Sequence, residues 1–500
     1  MVGGTTALSG GIVWIPNNRF AAAAGIDDSR AEALAYLDSL SLGMIDPDLV
    51  AALIDTGPEV VEWLTSATPL RLQVAVGFPD YHPDNPGAKP GGGRSLDPDL
   101  FPFEQLGPWA SRIACPPKLP RLNLLESPLG GGSGTIEQAV LEERVAHDVR
   151  GRGQALVGAL LKECLDRGIE PVTGARATDL VVRGGRVTGA RFESGDEVSA
   201  DRGVVVATGG FEWDRDLVQA FLRGPMTSPT TIPTNTGDGL RMVMRAGAAL
   251  GVMSEAWWVP TIEVPGEELY GHQRARLILR ERTLPGSIMV NRQGRRFANE
   301  ATSYNALGGA FHQFDPGRFD YANLPCWLVF DHAYLRRYGF VTSAPGDEPP
   351  RWVTTAATLS ELGRRLGIDH AGLESTVARW NQQAASGHDD DFGRGDNAYD
   401  RWNGDQRFLD TPAATIGPLA EPPFHAVEIR SGTLGTKGGA RTNVDGQVLD
   451  PARQPIAGLY AAGNAMAAVT AMVYGGGGGT LGPAVVFGYR AGRHAAASKQ

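Results

Sequence analysis

Residues 456–489 read IAGLYAAGNAMAAVTAMVYGGGGGTLGPAVVFGY and contain no charged side chain. Glycines and Pro483 interrupt this apolar stretch too often for a membrane-spanning helix. An apolar strand that ends in Ala-Gly-Asn464, followed by a Gly-rich loop and a helix start, is typical of a segment that brings bare backbone close to a large ligand. The first turn of that helix offers N–H groups that can receive electron-rich oxygens. The sequence therefore predicts a cofactor site in the last quarter of the chain.

The composition limits the class of protein. Five hundred residues are enough for two or three domains with large cores. The net charge of −10 argues against nucleic-acid binding, and no integral membrane segment is expected. Cys115, Cys164 and Cys326 are too few and too widely spaced for a disulfide framework or a Cys-rich site, so no metal is expected. No secretory signal follows Met1, which favours a cytoplasmic location.

The order of secondary-structure signals predicts an α/β fold. Hydrophobic spacing and turn residues predict helices over 28–42, 47–65 and 152–167, a loop over 81–94, and a hairpin with strands over 175–182 and 187–192. Residues 203–210 (GVVVATGG) form a buried strand that enters a Gly turn, as in a Rossmann-like crossover. Between about 265 and 431 the segments become longer, more aromatic and more charged. We therefore predict a discontinuous Rossmann-like domain over 1–264 and 432–500, with an inserted α+β catalytic cap domain over 265–431.

Five stretches together resemble the FAD-dependent fumarate reductase and 3-ketosteroid dehydrogenase family. They are residues 3–11 (GGTTALSGG), 207–210 (ATGG), 235–239 (NTGDG), 291–300 (NRQGRRFANE) and the C-terminal stretch quoted above. In that family a β-α-β unit with a G-x-G-x-x-G turn precedes the first stretch, and this sequence lacks it. We therefore expect an N-terminally truncated FAD domain, or a real short form that survives as an FAD-deficient, non-catalytic remnant.

The resemblance implies FAD as the cofactor and assigns residues to it. Residues near Met1 should line the isoalloxazine and pyrophosphate, Ala177 the adenosine and Asp238 the ribityl chain, while the C-terminal turn and helix start should contact the flavin. The implied set is Gly4, Thr5, Thr6, Ser9, Gly11, Ala177, Thr208, Gly209, Asp238, Gly463, Asn464, Gly482, Pro483 and Ala484.

The resemblance also implies four catalytic positions. In the steroid dehydrogenases, a tyrosine at the place of Tyr304 removes the C2 proton while hydride leaves C1 for the flavin. A phenol has a pKa of about 10, so neighbours must help it to ionise. The matching positions Tyr474 and Gly478 N–H would bind the C3 carbonyl as an oxyanion hole, and Tyr81 would assist the base. Because glycines occupy all of 475–479, we expect a looser loop here.

The implied function is the introduction of a C1–C2 double bond into a 3-ketosteroid, with electrons passed on to an external, quinone-like acceptor. Two functions of the same class stay open beside it: that of a fumarate reductase or succinate dehydrogenase-type flavoprotein, and that of a Δ4-ketosteroid dehydrogenase. Fumarate reductases carry an arginine in the stretch that holds Tyr304 here. Arg295 and Arg296 in the NRQGRRFANE stretch could pair with Glu300 or with the flavin phosphates. Arg296 would also suit a dicarboxylate substrate, which keeps fumarate reduction open.

Overall fold

The computed structural model describes residues 1–498. Its α-helices are α1 (Gly4–Leu8), α2 (Arg19–Ala23), α3 (Arg30–Leu40), α4 (Pro47–Ala67), α5 (Gln138–Ala146), α6 (Arg152–Asp166), α7 (Arg215–Phe221), α8 (Asp238–Arg245), α9 (Tyr304–Phe311), α10 (His332–Tyr338), α11 (Leu359–Leu366), α12 (His370–Ser386), α13 (Ala398–Trp402) and α14 (Leu481–Ala497).

The strands are short in the first half of the chain and longer in the second. They are β1 (Val13–Trp14), β2 (Leu72–Val76), β3 (Gly92–Pro98), β4 (Phe101–Pro102), β5 (Val149–Arg150), β6 (Ala177–Arg183), β7 (Arg186–Phe192), β8 (Glu197–Ser199), β9 (Val204–Val206), β10 (Ser228–Pro229), β11 (Leu250–Gly251), β12 (Ala256–Leu269), β13 (His272–Leu277), β14 (Ser287–Asn291), β15 (Phe314–Asp315), β16 (Asp320–Tyr321), β17 (Cys326–Asp331), β18 (Thr354–Ala356), β19 (Phe424–Thr436), β20 (Gly439–Ala440), β21 (Gln447–Leu449) and β22 (Pro455–Ala461).

The chain divides into two compact units. Unit 1 comprises Met1–Leu222, Thr231–Trp257 and the chain from Gly435 onward, and unit 2 comprises Arg223–Thr230 and Trp258–Leu434. The chain thus passes between units at 257/258 and 434/435, where the sequence placed boundaries at 264/265 and 431/432. The sequence did not predict that the short segment 223–230 belongs to unit 2.

Unit 1 mixes helices with several small sheets. β9 pairs in parallel with β22, and β21 pairs antiparallel with the other edge of β22. The predicted hairpin is β6–β7, to which β8 adds a third antiparallel strand. A further antiparallel sheet has the order β1-β3-β2. A core cluster of buried aliphatic and aromatic residues joins α1, α4, α6 and α14 to these sheets.

Unit 2 is built on one larger sheet. Five of its strands follow the order β13-β12-β19-β17-β14, and both β10 and β18 also pair with β19. Two apolar clusters pack here, one containing α9 and α10 residues and the other containing α11 and α12 residues. The mixed helix and strand content of the chain agrees with the predicted class.

Capping residues explain where the first long helices begin. The side chain of Asp46 accepts hydrogen bonds from the N–H groups of Asp48 and Leu49, and Pro47 occupies the first turn of α4. The hydroxyl of Ser29 accepts from Glu32 N and caps α3. Asp28, which the sequence placed inside that helix, lies before the cap and pairs with Arg94 instead.

The predicted loop over 81–94 is wrong at its end. Gly92, Gly93 and Arg94 already belong to β3, which pairs with β1 and β2. Gly92 has φ +80°, and a Cβ there would lie 2.7 Å from the carbonyl oxygen of Phe78. The glycines that suggest a loop are therefore needed because two backbone segments approach closely.

Membrane-spanning helices and metal-binding clusters are both absent from residues 1–498. None of the helices between residues 1 and 498 is long and apolar enough to cross a membrane. In the same residues, no group of three or more His, Cys, Asp or Glu side chains is placed to hold a metal ion.

Candidate active site

A cavity in unit 1 lies beside the C-terminal segment. Small or apolar side chains form most of its wall. Its lining residues are Trp257, Gly463, Asn464, Met466, Ala467, Ala468, Val469, Thr470, Thr480, Pro483, Ala484 and Phe487. Four of the predicted cofactor residues, Gly463, Asn464, Pro483 and Ala484, therefore meet at one place.

The turn after β22 shapes one side of this cavity. Gly463 has φ +62°, and a Cβ there would meet only the Cβ of Ala484, at 3.8 Å. The glycine therefore leaves space that a side chain would fill. The side-chain oxygen of Asn464 accepts a hydrogen bond from the indole N–H of Trp257, at 3.2 Å. A Cβ at Gly435 would collide with the Asn464 amide nitrogen, so glycine is required there too.

The five glycines 475–479 are tightly packed, contrary to the expected looseness. A Cβ would lie 2.5 Å from Trp14 Nε1 at Gly476 and 2.6 Å from Ile12 O at Gly478, and at Gly477 it would collide with the Phe78 ring. The loop carbonyls are also held: Tyr36 Oη and Tyr81 N donate to Gly475 O (2.6 and 2.9 Å), Ser95 Oγ to Gly477 O (2.8 Å), and Trp14 N to Gly478 O (3.2 Å). The glycine run is thus explained by close approach rather than by flexibility.

Tyr474 is enclosed by aromatic rings at the start of this loop. Its ring centroid lies 4.8 Å from Trp257 and 5.1 Å from Tyr81. The ring folds back onto its own loop, because a Cβ at Gly479 would lie 2.8 Å from Tyr474 Cδ2. The hydroxyl of Thr480 donates to the Tyr474 hydroxyl oxygen at 3.3 Å. Three of the four predicted catalytic positions, Tyr81, Tyr474 and Gly478, therefore belong to one packed region of unit 1.

The start of α14 follows directly. Gly482 N–H donates to Gly478 O at 2.8 Å and Ala484 N–H donates to Thr480 O at 3.4 Å, while Pro483 has no N–H. A Cβ at Gly482 would collide with Trp14 O, so α14 packs against the backbone of β1. Within residues 1–498, the N–H of Gly478 donates to no protein acceptor. The N–H of Gly478 is therefore available to a ligand, whereas Gly482 and Ala484 use theirs within the helix start.

The N-terminal segment is a tight turn. Thr5 Oγ1 accepts hydrogen bonds from Asn235 Nδ2 (3.1 Å) and Ile232 N (3.4 Å). The hydroxyl of Ser9 donates to the carbonyl of Thr6 and accepts from Gly11 N. Gly4, Thr5 and Thr6 belong to α1, which packs against α6. These five predicted residues therefore form one continuous surface of backbone and small side chains.

The remaining predicted cofactor residues lie at or around the start of α8. Asp238 begins the helix, and its carboxylate accepts two hydrogen bonds from Arg176, at 2.7 and 2.9 Å, which lower its pKa. Arg176 immediately precedes Ala177, the first residue of β6. Gly209 has φ +81° and lies so close to Asn235 that a Cβ would be 2.7 Å from its side-chain oxygen. Thr208 packs against Gly239 in the same way.

Sequence reasoning missed Glu212, which links these loops. Asn235 Nδ2 donates to Glu212 Oε1 at 2.7 Å, and Thr436 N donates to Glu212 Oε2 at 3.3 Å. Because Asn235 also donates to Thr5, one buried carboxylate joins loops that lie more than 200 residues apart. Burial raises the pKa of Glu212. A lone Glu two residues after a Gly turn gives no local signal of this role.

Sequence reasoning also missed the buried ion pairs behind Tyr81. Arg94 donates to Asp80 at 2.8 Å and to Asp28 at 2.6 Å, and the indole N–H of Trp14 donates to Asp80 at 2.9 Å. Burial raises the pKa of Asp80 to about 6. In Asp28, burial also opposes the charge, but the Arg94 hydrogen bond and charge outweigh it and lower the pKa. Since Trp14 and Asp80 also contact Gly476, this network fixes both Tyr81 and the glycine loop.

Tyr304 lies in unit 2, where it is the first residue of α9 and is 6% exposed. The helix start is fixed because Asn305 Oδ1 accepts from Trp258 N at 3.1 Å. Gly308 allows close contact, since a Cβ there would lie 2.6 Å from the Trp258 side chain.

Arg296 corrects one expectation of the sequence. Its guanidinium makes paired hydrogen bonds to Glu300 (2.8 and 2.7 Å) and to Asp389 (2.8 Å each). All three side chains are nearly fully buried. Although burial opposes these charges, the two carboxylates raise the pKa of Arg296, and its charge lowers that of Glu300. Arg296 therefore holds unit 2 together and is not free to bind a dicarboxylate.

The chain is similar to known proteins over nearly its whole length. A family model described as an FAD binding domain matches residues 1–481. A 4-oxocyclohexanecarboxylate 2-dehydrogenase of Sinomonas cyclohexanicum is 38% identical over 500 residues, 99% of this chain and 86% of that protein. A 3-oxosteroid 1-dehydrogenase of Mycobacterium tuberculosis is 36% identical over 531 residues, 99% of this chain and 92% of that protein.

A solved structure agrees with these relatives. The 3-ketosteroid Δ1-dehydrogenase of Sterolibacterium denitrificans, in complex with 1,4-androstadiene-3,17-dione, has a TM-score of 0.89 and 35% identity. The match covers 99% of this chain and 93% of that one.

A cavity lined by small residues, a Gly turn with space beside it and a helix start at its edge are features that let a large cofactor approach bare backbone. Together with the full-length matches, they show that the chain belongs to the FAD-binding family of the fumarate reductases and 3-ketosteroid dehydrogenases, with FAD as its cofactor. The resemblance found in the sequence is thus confirmed.

Proposed function

We propose that this chain is an FAD-dependent dehydrogenase that introduces a C1–C2 double bond into 3-ketosteroids. The observation that carries the proposal is that Tyr474 and the N–H of Gly478 lie on one closely packed loop. The Tyr474 hydroxyl lies beside Thr480, and the Gly478 N–H donates to no acceptor within residues 1–498. Relatives with this activity match nearly the whole chain.

In this proposal the two donors bind the C3 carbonyl oxygen. A ketone that accepts from a hydroxyl and an N–H becomes more polarised, so its C2 protons become more acidic and the enolate is stabilised. Removing one such donor from an enzyme typically lowers kcat by about 10² to 10³. The close packing of Trp14, Tyr36 and Tyr81 on the loop keeps both donors in place before substrate arrives.

Tyr304 takes the C2 proton in the same proposal. It is the first residue of α9, at the end of the helix that carries the positive end of the dipole. Tyr81 assists the base, and its ring also supports Tyr474. When bound, FAD supplies the acceptor for the hydride that leaves C1. Gly463, Asn464, Pro483 and Ala484 hold the flavin in the cavity, and the loops tied together by Glu212 hold the rest of the cofactor.

The test uses the purified chain after incubation with FAD. We expect a redox dye to be reduced when a 3-keto-4-ene steroid is added, and the steroid to lose two hydrogens by mass spectrometry. Tyr474→Phe should reduce kcat at least about a hundredfold with FAD content unchanged. Tyr489→Phe is the matched control, because that hydroxyl binds Glu59 on the surface. Equal turnover in both variants would contradict the proposal.

A second candidate substrate is 4-oxocyclohexanecarboxylate. The observation in its favour is the 38% identity to a dehydrogenase of that compound. Both reactions desaturate a ring next to a ketone, so the same two donors would serve. The dye assay with each compound separates them: the ratio of kcat/KM values identifies the preferred one.

Fumarate reduction, Δ4-dehydrogenation and loss of catalysis would each give a distinct result. Oxidation of reduced viologen by fumarate would favour a fumarate reductase, although Arg296 is engaged in ion pairs. A 4-ene product from a saturated 3-ketosteroid would favour a Δ4-dehydrogenase. Failure to retain FAD after incubation would favour a non-catalytic remnant.

We further propose that the parallel strands β9 and β22 belong to a Rossmann-like sheet of the FAD domain. The quinone-like acceptor and the cytoplasmic location remain predictions from the sequence. Reoxidation of the reduced protein by a soluble quinone analogue tests the acceptor.

A further inference from the structure

A fully buried lysine lies close to the cavity. Lys437 follows β19 in the segment Gly435–Gly439 and has no exposed surface. Lysine is almost never fully buried in proteins unless specific contacts compensate its charge. Its backbone is fixed on both sides, because its N–H donates to Glu255 O (2.9 Å) and its carbonyl accepts from Ala468 N (2.9 Å).

The ammonium group contacts two features of the predicted ketone site. Nζ donates to the carbonyl of Val473 at 2.9 Å, and it lies 4.0 Å from the centroid of the Trp257 ring. Val473 immediately precedes Tyr474. Trp257 packs on Tyr474 and lines the cavity. Lys437 therefore contacts two of the neighbours that position Tyr474.

A second, uncharged donor meets the same carbonyl. Thr470 Oγ1 donates to Val473 O at 3.1 Å, and Val473 N donates to Thr470 O at 2.8 Å, which closes a turn. The turn is thus held by a neutral hydroxyl as well as by the ammonium. What protonated Lys437 adds beyond Thr470 is a positive charge next to Trp257, which lines the cavity.

We propose that Lys437 is a positioning residue that holds Tyr474 and stabilises negative charge inside the cavity, both on the enolate of the substrate and on the reduced flavin. The part of this inference that concerns the enolate rests on the proposed function. The part that concerns the reduced flavin rests only on the presence of FAD in the site. At a separation of about 10 Å and an effective dielectric constant of about 20, a unit charge changes an equilibrium roughly tenfold. A tenfold change corresponds to about 30 mV for a two-electron couple.

The experiment measures the midpoint potential of bound FAD by dye equilibration, which needs no steroid. Lys437→Met removes charge and donor, Lys437→Gln removes the charge but retains a donor, and Lys437→Arg retains both. We expect the potential to fall by about 30 mV in the Met and Gln variants and to stay near the wild-type value in Arg. Thr470→Val removes the neutral donor of the same turn together with one hydroxyl of the cavity wall, and should shift the potential less than Lys437→Gln does.

The steady-state parameters test the positioning role. We expect Lys437→Met to lower kcat about tenfold or more, and Lys437→Arg to restore most of it. A wild-type potential in Lys437→Gln would overturn the electrostatic role, even if Lys437→Met fails to fold. Equal shifts of the midpoint potential in Thr470→Val and Lys437→Gln would contradict the electrostatic role, because they would show that the geometry of the turn, and not the charge of Lys437, determines the potential. A wild-type chain that lacks steroid turnover would contradict the proposed function and leave the potential measurement valid.

Discussion

Substitution of Gly478 by alanine tests the central feature of the site. Gly478 has φ +94°, and a Cβ there would lie 2.6 Å from both Ile12 O and Trp14 N. Those atoms belong to backbone, so they cannot move aside as a flexible side chain could. Left-handed conformations cost a non-glycine residue about 1–2 kcal/mol, and overpacking costs about 1–3 kcal/mol more. We expect Gly478→Ala to lower the free energy of unfolding by roughly 2–5 kcal/mol.

The same change should displace the donor that polarises the ketone. Because the loop must move by several tenths of an ångström, the N–H of residue 478 no longer points where Tyr474 does. Loss of one oxyanion donor typically lowers kcat by about 10² to 10³. The assay is steroid-dependent dye reduction, normalised to bound FAD, together with urea unfolding followed by flavin fluorescence.

Gly475→Ala is the matched control in the same loop. Its Cβ would lie 3.2 Å from Tyr36 Cε1 and 3.4 Å from Leu37 and Trp14, all side-chain atoms. We expect a destabilisation below about 1 kcal/mol and turnover within a few-fold of wild type. If Gly478→Ala retained wild-type kcat per bound FAD, the Gly478 N–H would not be a donor to the substrate.

Three further changes probe other parts of the site. Tyr304→Phe retains the ring but removes the ionisable hydroxyl, and should reduce turnover at least about a hundredfold with FAD content unchanged; near-normal turnover would mean that another group takes the proton. Asn235→Ala removes one donor from the buried Glu212 and should cost about 1–3 kcal/mol in urea unfolding, with faster loss of FAD on desalting; unchanged FAD retention would separate this link from the cofactor site. Burial raises the pKa of Asp80 to about 6, above the value of about 4 in the unfolded chain. The contribution of Asp80 to stability is therefore present below about pH 4 and is lost as the pH rises through 6. The unfolding free energy of wild type minus that of Asp80→Asn should therefore fall between pH 4 and pH 7, and a rise would contradict the assignment.

The parts of this molecule that the sequence predicted are those with local causes. The N-cap residues Ser29 and Asp46 act within three residues of themselves, so α3 and α4 begin close to the predicted positions. The turn at Gly463 and the start of α14 are likewise local, which explains why four of the predicted cofactor residues meet in the cavity.

The supporting residues were not predicted because their partners are distant in the chain. Lys437 donates a hydrogen bond to Val473, and Glu212 accepts hydrogen bonds from Thr436 and Asn235. The residues adjacent to Lys437 and Glu212 in the sequence do not indicate these contacts. The glycine run led to the wrong expectation for the same reason. Its cause is the approach of Trp14 and Phe78, about 400 residues earlier, rather than any property of the loop itself.

Arg296 shows how a charged residue in a motif can serve either structure or substrate. The sequence places it five residues after Asn291 and eight before Tyr304, which allows both roles. The structure decides the matter, because Glu300 and Asp389 take up the guanidinium in a buried pair. Removing one member of such a pair would leave an uncompensated charge and typically costs about 3–5 kcal/mol, so the pair serves folding. The expected dicarboxylate site thus loses the arginine on which it was based. In the proposed function, the difference between fumarate reduction and ketone dehydrogenation then rests on Tyr304, because the resemblance implies an arginine in the similar stretch of the fumarate reductases.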